Sequence, residues 1–181
     1  MKKTIKKQKK TIRKQKETIR KRVVWIFFIL SLFWMGVIFF FSAQPAIQSS
    51  KLSTDTTQWL LSSNHSILKD LTEQLHQLDQ KGVLEFFIRK LAHAAEYGIL
   101  AVFLGITISF HSNWNRKWQL KTIGLCGLYA CTDEFHQLFV PGRAGQIRDV
   151  VIDTAGAVCA VLLIWLCFSV FQRRTLQADS Y

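Results

Sequence analysis

The sequence lacks the short motifs that mark several common classes of enzyme. It contains no HExxH, no GxSxG and no CxxC pair, so a zincin-type zinc site, a nucleophile elbow and a paired-cysteine centre are not indicated. The four cysteines, Cys126, Cys131, Cys159 and Cys167, all lie in apolar segments. We interpret them as small buried hydrophobic residues.

Acidic residues are scarce, 12 against 24 Lys and Arg, and the positive excess lies in one place. Residues 1–22 hold twelve Lys or Arg and one acid, Glu17, which accounts for almost all of the net charge of +12. The segment repeats about every seven residues, but one apolar residue per repeat is too few for a coiled coil. We expect a cytoplasmic tail on the anionic inner leaflet, as a lipid-surface helix or a solvated tether, and no nucleic acid partner.

Uncharged apolar residues come in long blocks, which is typical of a membrane protein because about 20 such residues cross the hydrocarbon core. Charge is absent from 23–41 and sparse in 91–110 and 150–171, whereas 118–139 carries charges near both ends. We predict an all-α membrane protein with four transmembrane helices at about these ranges, and whether 118–139 crosses completely stays open. The membrane domain is 23–171, and 172–181 is a short cytoplasmic tail. No cleavable signal peptide is evident, so the first helix is expected to be retained.

The distribution of Lys and Arg in the flanking segments predicts the topology. The positive-inside rule places both termini in the cytoplasm and residues 42–90 and 140–149 outside the plasma membrane. In the first outer loop, Leu68, Leu71, Leu75 and Leu78 form one helical stripe. We therefore predict an extracytoplasmic amphipathic helical loop between the first two spans, either a lid over a site or a packing element.

Polar and ionisable side chains gather near the outer ends of the second, third and fourth predicted spans. Charge at membrane depth is costly, so such a cluster indicates a functional site by default. The candidates for acid–base chemistry are His93, Glu96, Asp133, Glu134, His136 and Asp149. The candidates for binding a ligand are Lys90, Tyr97, Gln137, Arg143, Arg148 and Asp153.

Three interpretations of this cluster stay open. Arginine binds phosphate or carboxylate through two parallel hydrogen bonds, and a Pro141-Gly142 turn would project Arg143 outward to do so. A divalent metal is possible but not favoured, because HxxE at His93 and Glu96 is a weak signal. The same charges could instead form a buried salt-bridge network that fixes helix register, although such networks stabilise poorly.

The chain resembles the VanZ-like family of small bacterial membrane proteins. The resemblance rests on five pieces in order: Phe41-Ser42-Ala43-Gln44-Pro45, the run from Lys90 to Tyr97, the run from Asp133 to Gln137, Pro141-Gly142-Arg143, and Arg148-Asp149. This chain has Asp153 where the family often has Asn. The resemblance implies a role in the cell envelope, with the family's namesake tied to resistance to the glycopeptide teicoplanin.

Residues and resemblance together favour a protein that binds or modifies an anionic envelope lipid, or its attached glycan, and influences glycopeptide sensitivity. The alternative is a non-enzymatic scaffold or small transporter whose charges pack helices or relay protons. Whether the protein is an enzyme, and whether copies associate, stays open.

Overall fold

The computed structural model describes residues 2–62, 83–111 and 117–178, and the regular structure in these ranges is entirely helical. The predicted all-α class is therefore confirmed for the described chain. In chain order the helices are α1 (Lys2–Ser42), α2 (Ala46–Ser62), α3 (Val83–His111), α4 (Lys117–Gln137) and α5 (Ile147–Ala178).

Three of these helices are long and apolar enough to cross a membrane by length and composition. They contain the stretches Lys6–Ser42, Phe86–His111 and Ile147–Val170. These include the predicted spans 23–41 and 91–110 completely, and the span 150–171 except for its last residue. Large apolar side chains cover their outer surfaces, with Phe33 66%, Leu91 71% and Leu163 62% exposed. Water would penalise such a surface and lipid would not, which identifies a membrane protein.

Helix α4 covers most of the remaining predicted span, 118–139. Its 21 residues could reach across a bilayer, but Lys117 and Lys121 near one end and Asp133 and Glu134 near the other keep it outside the set of strongly apolar helices. One face of α4 is buried at a spacing of three or four residues, from Trp118 to Gln137. A fourth crossing stays a prediction.

The basic segment is helical and runs into the first apolar stretch without a break, since α1 includes both Arg22 and Val23. Helix α1 ends at Ser42, three residues before Pro45, which cannot continue a helix. Helix α2 follows at once and occupies the first part of the predicted outer loop. The leucine stripe from Leu68 to Leu78 lies outside the described residues, so the amphipathic character of that loop stays a prediction.

Helix α3 is the centre of the bundle and packs against α1, α4 and α5. Its Tyr97, Leu100 and Ala101 are completely buried. They join a core that also contains Ile38, Trp118, Cys126, Ala130, Ala157 and Val161. The closest approach is between α3 and α5, where a side chain added at Gly156 would collide with the backbone of Ala94.

The interpretation of the cysteines is wrong for three of the four. All are free thiols, but only Cys126 is buried, whereas Cys131, Cys159 and Cys167 are exposed on the surface of the helices. The physical reason is that a lipid-facing surface is as apolar as the core, so the apolar character of a cysteine does not separate the two environments.

Candidate functional site

At one end of the bundle, here called the polar end, α1 and α4 terminate and α3 and α5 begin, and α2 lies against them. The strongest link at this end is an ion pair between Lys90 Nζ on α3 and Asp149 Oδ1 on α5, 2.6 Å apart. The two side chains are only 14% and 16% exposed. Arg148 Nε lies 3.9 Å from the same oxygen. Asp149 also occupies the first turn of α5, where a carboxylate is stabilised by the helix dipole.

A cavity of about 250 Å³ opens at the polar end, and we call it the basic cavity. Six of the residues predicted from the sequence line it: Lys90, His93, Gln137, Arg143, Arg148 and Asp149. Arg89 lines it as well, so among the described residues four Lys and Arg side chains and one carboxylate line this cavity. Two of the cations also stand over the Phe86 ring, with Lys90 at 5.6 Å and Arg148 at 5.3 Å from its centroid.

A second cavity of about 170 Å³, the side cavity, adjoins the first. Arg89, His93 and Arg143 line both cavities, and Glu96 lines only the second. His93 Nδ1 lies 3.6 Å from Glu96 Oε2, one helical turn away on α3. Acid–base chemistry needs a proton donor or acceptor within hydrogen-bond reach of the reacting proton, and His93 borders both cavities.

Arg143 turns back toward α1 and does not project outward as predicted. Its Nε donates to the carbonyl of Gln44 at 2.9 Å and its Nη2 to the carbonyl of Phe41 at 3.2 Å. Phe41 lies in the last turn of α1 and Gln44 lies two residues beyond it, and carbonyls at the C-terminus of a helix attract a cation. Burial lowers the pKa of the guanidinium from its ordinary value and nearby Asp133 opposes that effect, yet an arginine stays charged at any physiological pH.

The turn that carries Arg143 follows from the sequence Val140-Pro141-Gly142-Arg143. The amide of Arg143 donates to the carbonyl of Val140 at 3.1 Å, and Gly142 has a φ of 75°. Proline at the second position and a residue with positive φ at the third are typical of a type II turn, and glycine tolerates that conformation best. The turn also contacts α2, because the amide of Ala46 donates to Pro141.

Glu134 accepts a hydrogen bond from a backbone amide and does not pair with one of the basic side chains that the structure describes. Its Oε2 accepts a hydrogen bond from the backbone amide of Gln146 at 2.9 Å. This bond joins the end of α4 to the residue preceding α5, so Glu134 positions the loop that carries Arg143. It does not line either cavity.

Two further predicted carboxylates and a tyrosine lie in the bundle interior. Asp133 is 3% exposed, Asp153 1% and Tyr97 0%. Asp133 Oδ2 accepts a hydrogen bond from Gln137 Nε2 at 3.2 Å, and the Ser42 hydroxyl also lies beside this carboxylate. Asp153 Oδ1 and the Tyr97 hydroxyl have no hydrogen-bond partner within the described chain. Unpaired buried polar atoms are rare in folded proteins, so these groups are suited to contact water or a ligand.

His136 does not share a cavity with the other candidates. Its ring lies against Phe39 of α1, with centroids 4.4 Å apart. In the ranges that the structure describes, its Nδ1 has no hydrogen-bond partner. The helical spacing correctly places His136 near Asp133 on α4, but the rotation of that helix directs it toward α1.

Metal coordination receives no geometric support in the described part of the chain. No three side chains of His, Cys, Asp or Glu approach one another there as a metal ion would require. The candidates are instead distributed over two cavities and the interior.

Arg89 and Phe86 are the site residues that sequence reasoning missed. Arg89 lies one helical turn before His93 and also donates through Nη2 to Ser50 Oγ of α2 at 3.1 Å. Its spacing of four from His93 was a usable signal, since residues i and i+4 share a helix face. No sequence pattern indicated Phe86, because its contact with a cation depends on the approach of Arg148 from α5.

A comparison with known protein families identifies the family of this chain. The family model described as VanZ/LLP1 matches residues 27–168, and the chain belongs to this family. The match extends from within α1 to within α5 and so includes the entire polar end, and it confirms the resemblance predicted from the sequence. No curated protein and no solved structure matches the chain significantly.

Proposed function

We propose that this VanZ-family protein binds the anionic group of an envelope lipid, or of a glycan attached to one, in the basic cavity. The observation that supports this most directly is the lining of that cavity. Among the described residues it contains the four basic side chains of Arg89, Lys90, Arg143 and Arg148 and one carboxylate, that of Asp149. An excess of cations in a partly enclosed space attracts phosphate or carboxylate, and guanidinium groups bind either through paired hydrogen bonds.

Within this proposal three of the four basic residues, Arg148, Lys90 and Arg143, have different roles. Arg148 is the most available, because its side chain is 59% exposed. Lys90 is partly neutralised by Asp149 and serves more to set the helix spacing. Arg143 uses two donors on α1, and a guanidinium has five, so it can still donate to a ligand.

Any chemistry on the ligand would use His93 with Glu96, because His93 borders both cavities and Glu96 lies beside it in the side cavity. We place the polar end on the outer side of the bacterial plasma membrane, as the positive-inside rule predicts. Binding there would give the protein access to lipid-linked envelope precursors. Through that access it would influence sensitivity to glycopeptides such as teicoplanin.

Binding of a polyprenyl pyrophosphate to the full chain in lipid nanodiscs tests the proposal. Arg148→Gln should weaken binding about tenfold, as expected for the loss of a hydrogen bond to a charged group. Lys51→Gln is the matched control, because Lys51 is an exposed cation of α2 that lines neither cavity. Equal affinities for wild type and Arg148→Gln, or equal losses in both variants, would contradict the proposal.

A scaffold function is the second candidate, and the bonds of Arg143 to α1 favour it. If the charges serve only packing, His93→Ala should lower the amount of folded protein in the membrane. If they serve a ligand, the same variant should fold normally and lose pyrophosphate binding together with any antibiotic protection. Size-exclusion chromatography and a susceptibility assay on the same variant separate the two.

A further inference from the structure

A large groove at the opposite end of the bundle is independent of the site described above. It has a volume of about 730 Å³, within the range of pockets that hold small molecules. Its walls are formed by α1 and α4 and its floor by α3. The apolar lining includes Trp25, Phe28, Ile108, Leu120, Leu125 and Leu128.

The groove exists because α1 and α4 meet only near the polar end. There the Tyr129 hydroxyl donates to the carbonyl of Met35 at 2.7 Å, and Phe39 contacts His136. Toward the other end both helices continue along α3, but few of their residues approach one another. The cleft between them is therefore open to the surrounding hydrocarbon.

Basic side chains lie at the mouth of this groove. Lys121 of α4 and His111 of α3 line it, and both are exposed. On α1, Arg20 and Lys21 lie one helical turn before Val24 and Trp25, on the same faces. No carboxylate lines the groove among the described residues. Lys21 is paired with Glu17 at 3.6 Å, so the charge that lines the groove itself is that of Lys121.

We propose that the groove binds one anionic phospholipid, with an acyl chain between α1 and α4 and the headgroup phosphate at Lys121. The apolar lining suits the acyl chain of the lipid, and the positive charge at the mouth suits its phosphate. Charge complementarity therefore determines both the kind of lipid and its orientation. The basic segment of α1, residues 2–22, ends at the level of the groove mouth and adds to the attraction for anionic lipid.

Two glycines permit a matched test. A side chain added at Gly124, which lines the groove, would meet nothing within 4 Å, and the same is true at Gly36 of α1, which does not line it. Leucine is also a better helix former than glycine. Gly124→Leu should therefore fill the groove without unfolding the protein. Gly36→Leu is the matched control, because it makes the same substitution on α1 outside the groove.

The experiment measures retention of phosphatidylglycerol and of phosphatidylcholine by the full-length protein, using native mass spectrometry from detergent. We expect wild type and Gly36→Leu to retain one phosphatidylglycerol, and Gly124→Leu to retain about tenfold less. Lys121→Gln should reduce the preference for the anionic lipid about fivefold, whereas Lys51→Gln should not change it.

Three outcomes would overturn the proposal. Unchanged retention in Gly124→Leu would show that lipid does not enter the groove. Equal retention of the two lipids by wild type would remove the role of the cations. A dimer that dissociates in Gly124→Leu, with no lipid retained, would identify a second copy of the chain as the occupant.

Discussion

Two helix pairs in this bundle pack in opposite ways. Helices α3 and α5 approach so closely that Gly156 lies against the backbone of Ala94, while α1 and α4 touch near the polar end and leave a groove elsewhere. Apolar side chains gain little by moving from lipid into a helix interface. Close contact in a membrane therefore needs small residues or polar links, and α3 and α5 have both.

The largest effect is expected where the packing is tightest. Gly156→Leu should destabilise the bundle by more than about 3 kcal/mol, because backbone atoms cannot move aside as a flexible side chain can. The measurement is thermal unfolding in detergent, with the yield of monodisperse protein as a second readout. Gly124→Leu is the control and should unfold near the wild-type temperature. If Gly156→Leu did the same, the two helix pairs would not differ as described.

The next effect concerns the polar link between the same helices. Replacing one partner of the pair Lys90–Asp149 should cost about 3 kcal/mol, because it leaves the other charge buried and unpaired. Asp149→Leu should lower the free energy of unfolding more than Lys90→Met does, since Arg148 remains near Asp149 when the lysine is removed. The double variant should be more stable than Asp149→Leu alone.

Unfolding of the three variants in parallel completes this double-mutant cycle. Additive losses would show that the two residues do not interact, and the α3–α5 interface would then depend on small residues alone.

The smallest effect on stability is expected between α1 and α4, the pair of helices that packs less closely. Tyr129→Phe removes the hydrogen bond to Met35 of α1 and should lower the unfolding free energy by about 1 kcal/mol. Tyr97→Phe is the matched control, because that hydroxyl has no partner in the described chain and its loss should be neutral or stabilising. Thermal unfolding that reversed this order would mean that α1 and α4 are joined by other contacts.

Much of the site could be predicted because helical spacing is a local property. Lys90 and His93 are three residues apart, which places them on one face of any helix that contains them. Charge at membrane depth then indicated that this face is not turned toward lipid. The position of both residues beside the basic cavity agrees with that expectation.

Other residues could not be assigned, because their partners come from different helices. The sequence predicts that Arg143 projects outward to a ligand, but its guanidinium donates to the carbonyls of Phe41 and Gln44, about a hundred residues earlier in the chain. His136 shares a helix face with Asp133 and still lies against Phe39. In both cases the rotation and distance between helices decide the contact, and no short pattern encodes them.

By itself the sequence determined the family, the helical class, the three strongly apolar spans and the set of polar residues near one end. These follow from hydropathy and from the helical period, which neighbouring residues establish. Only the tertiary structure decided which charges share a cavity, which of them hold helices together, and where a groove remains between α1 and α4. Those features depend on how closely separate helices approach, and in a membrane that is set by small residues and polar links distributed over the whole chain.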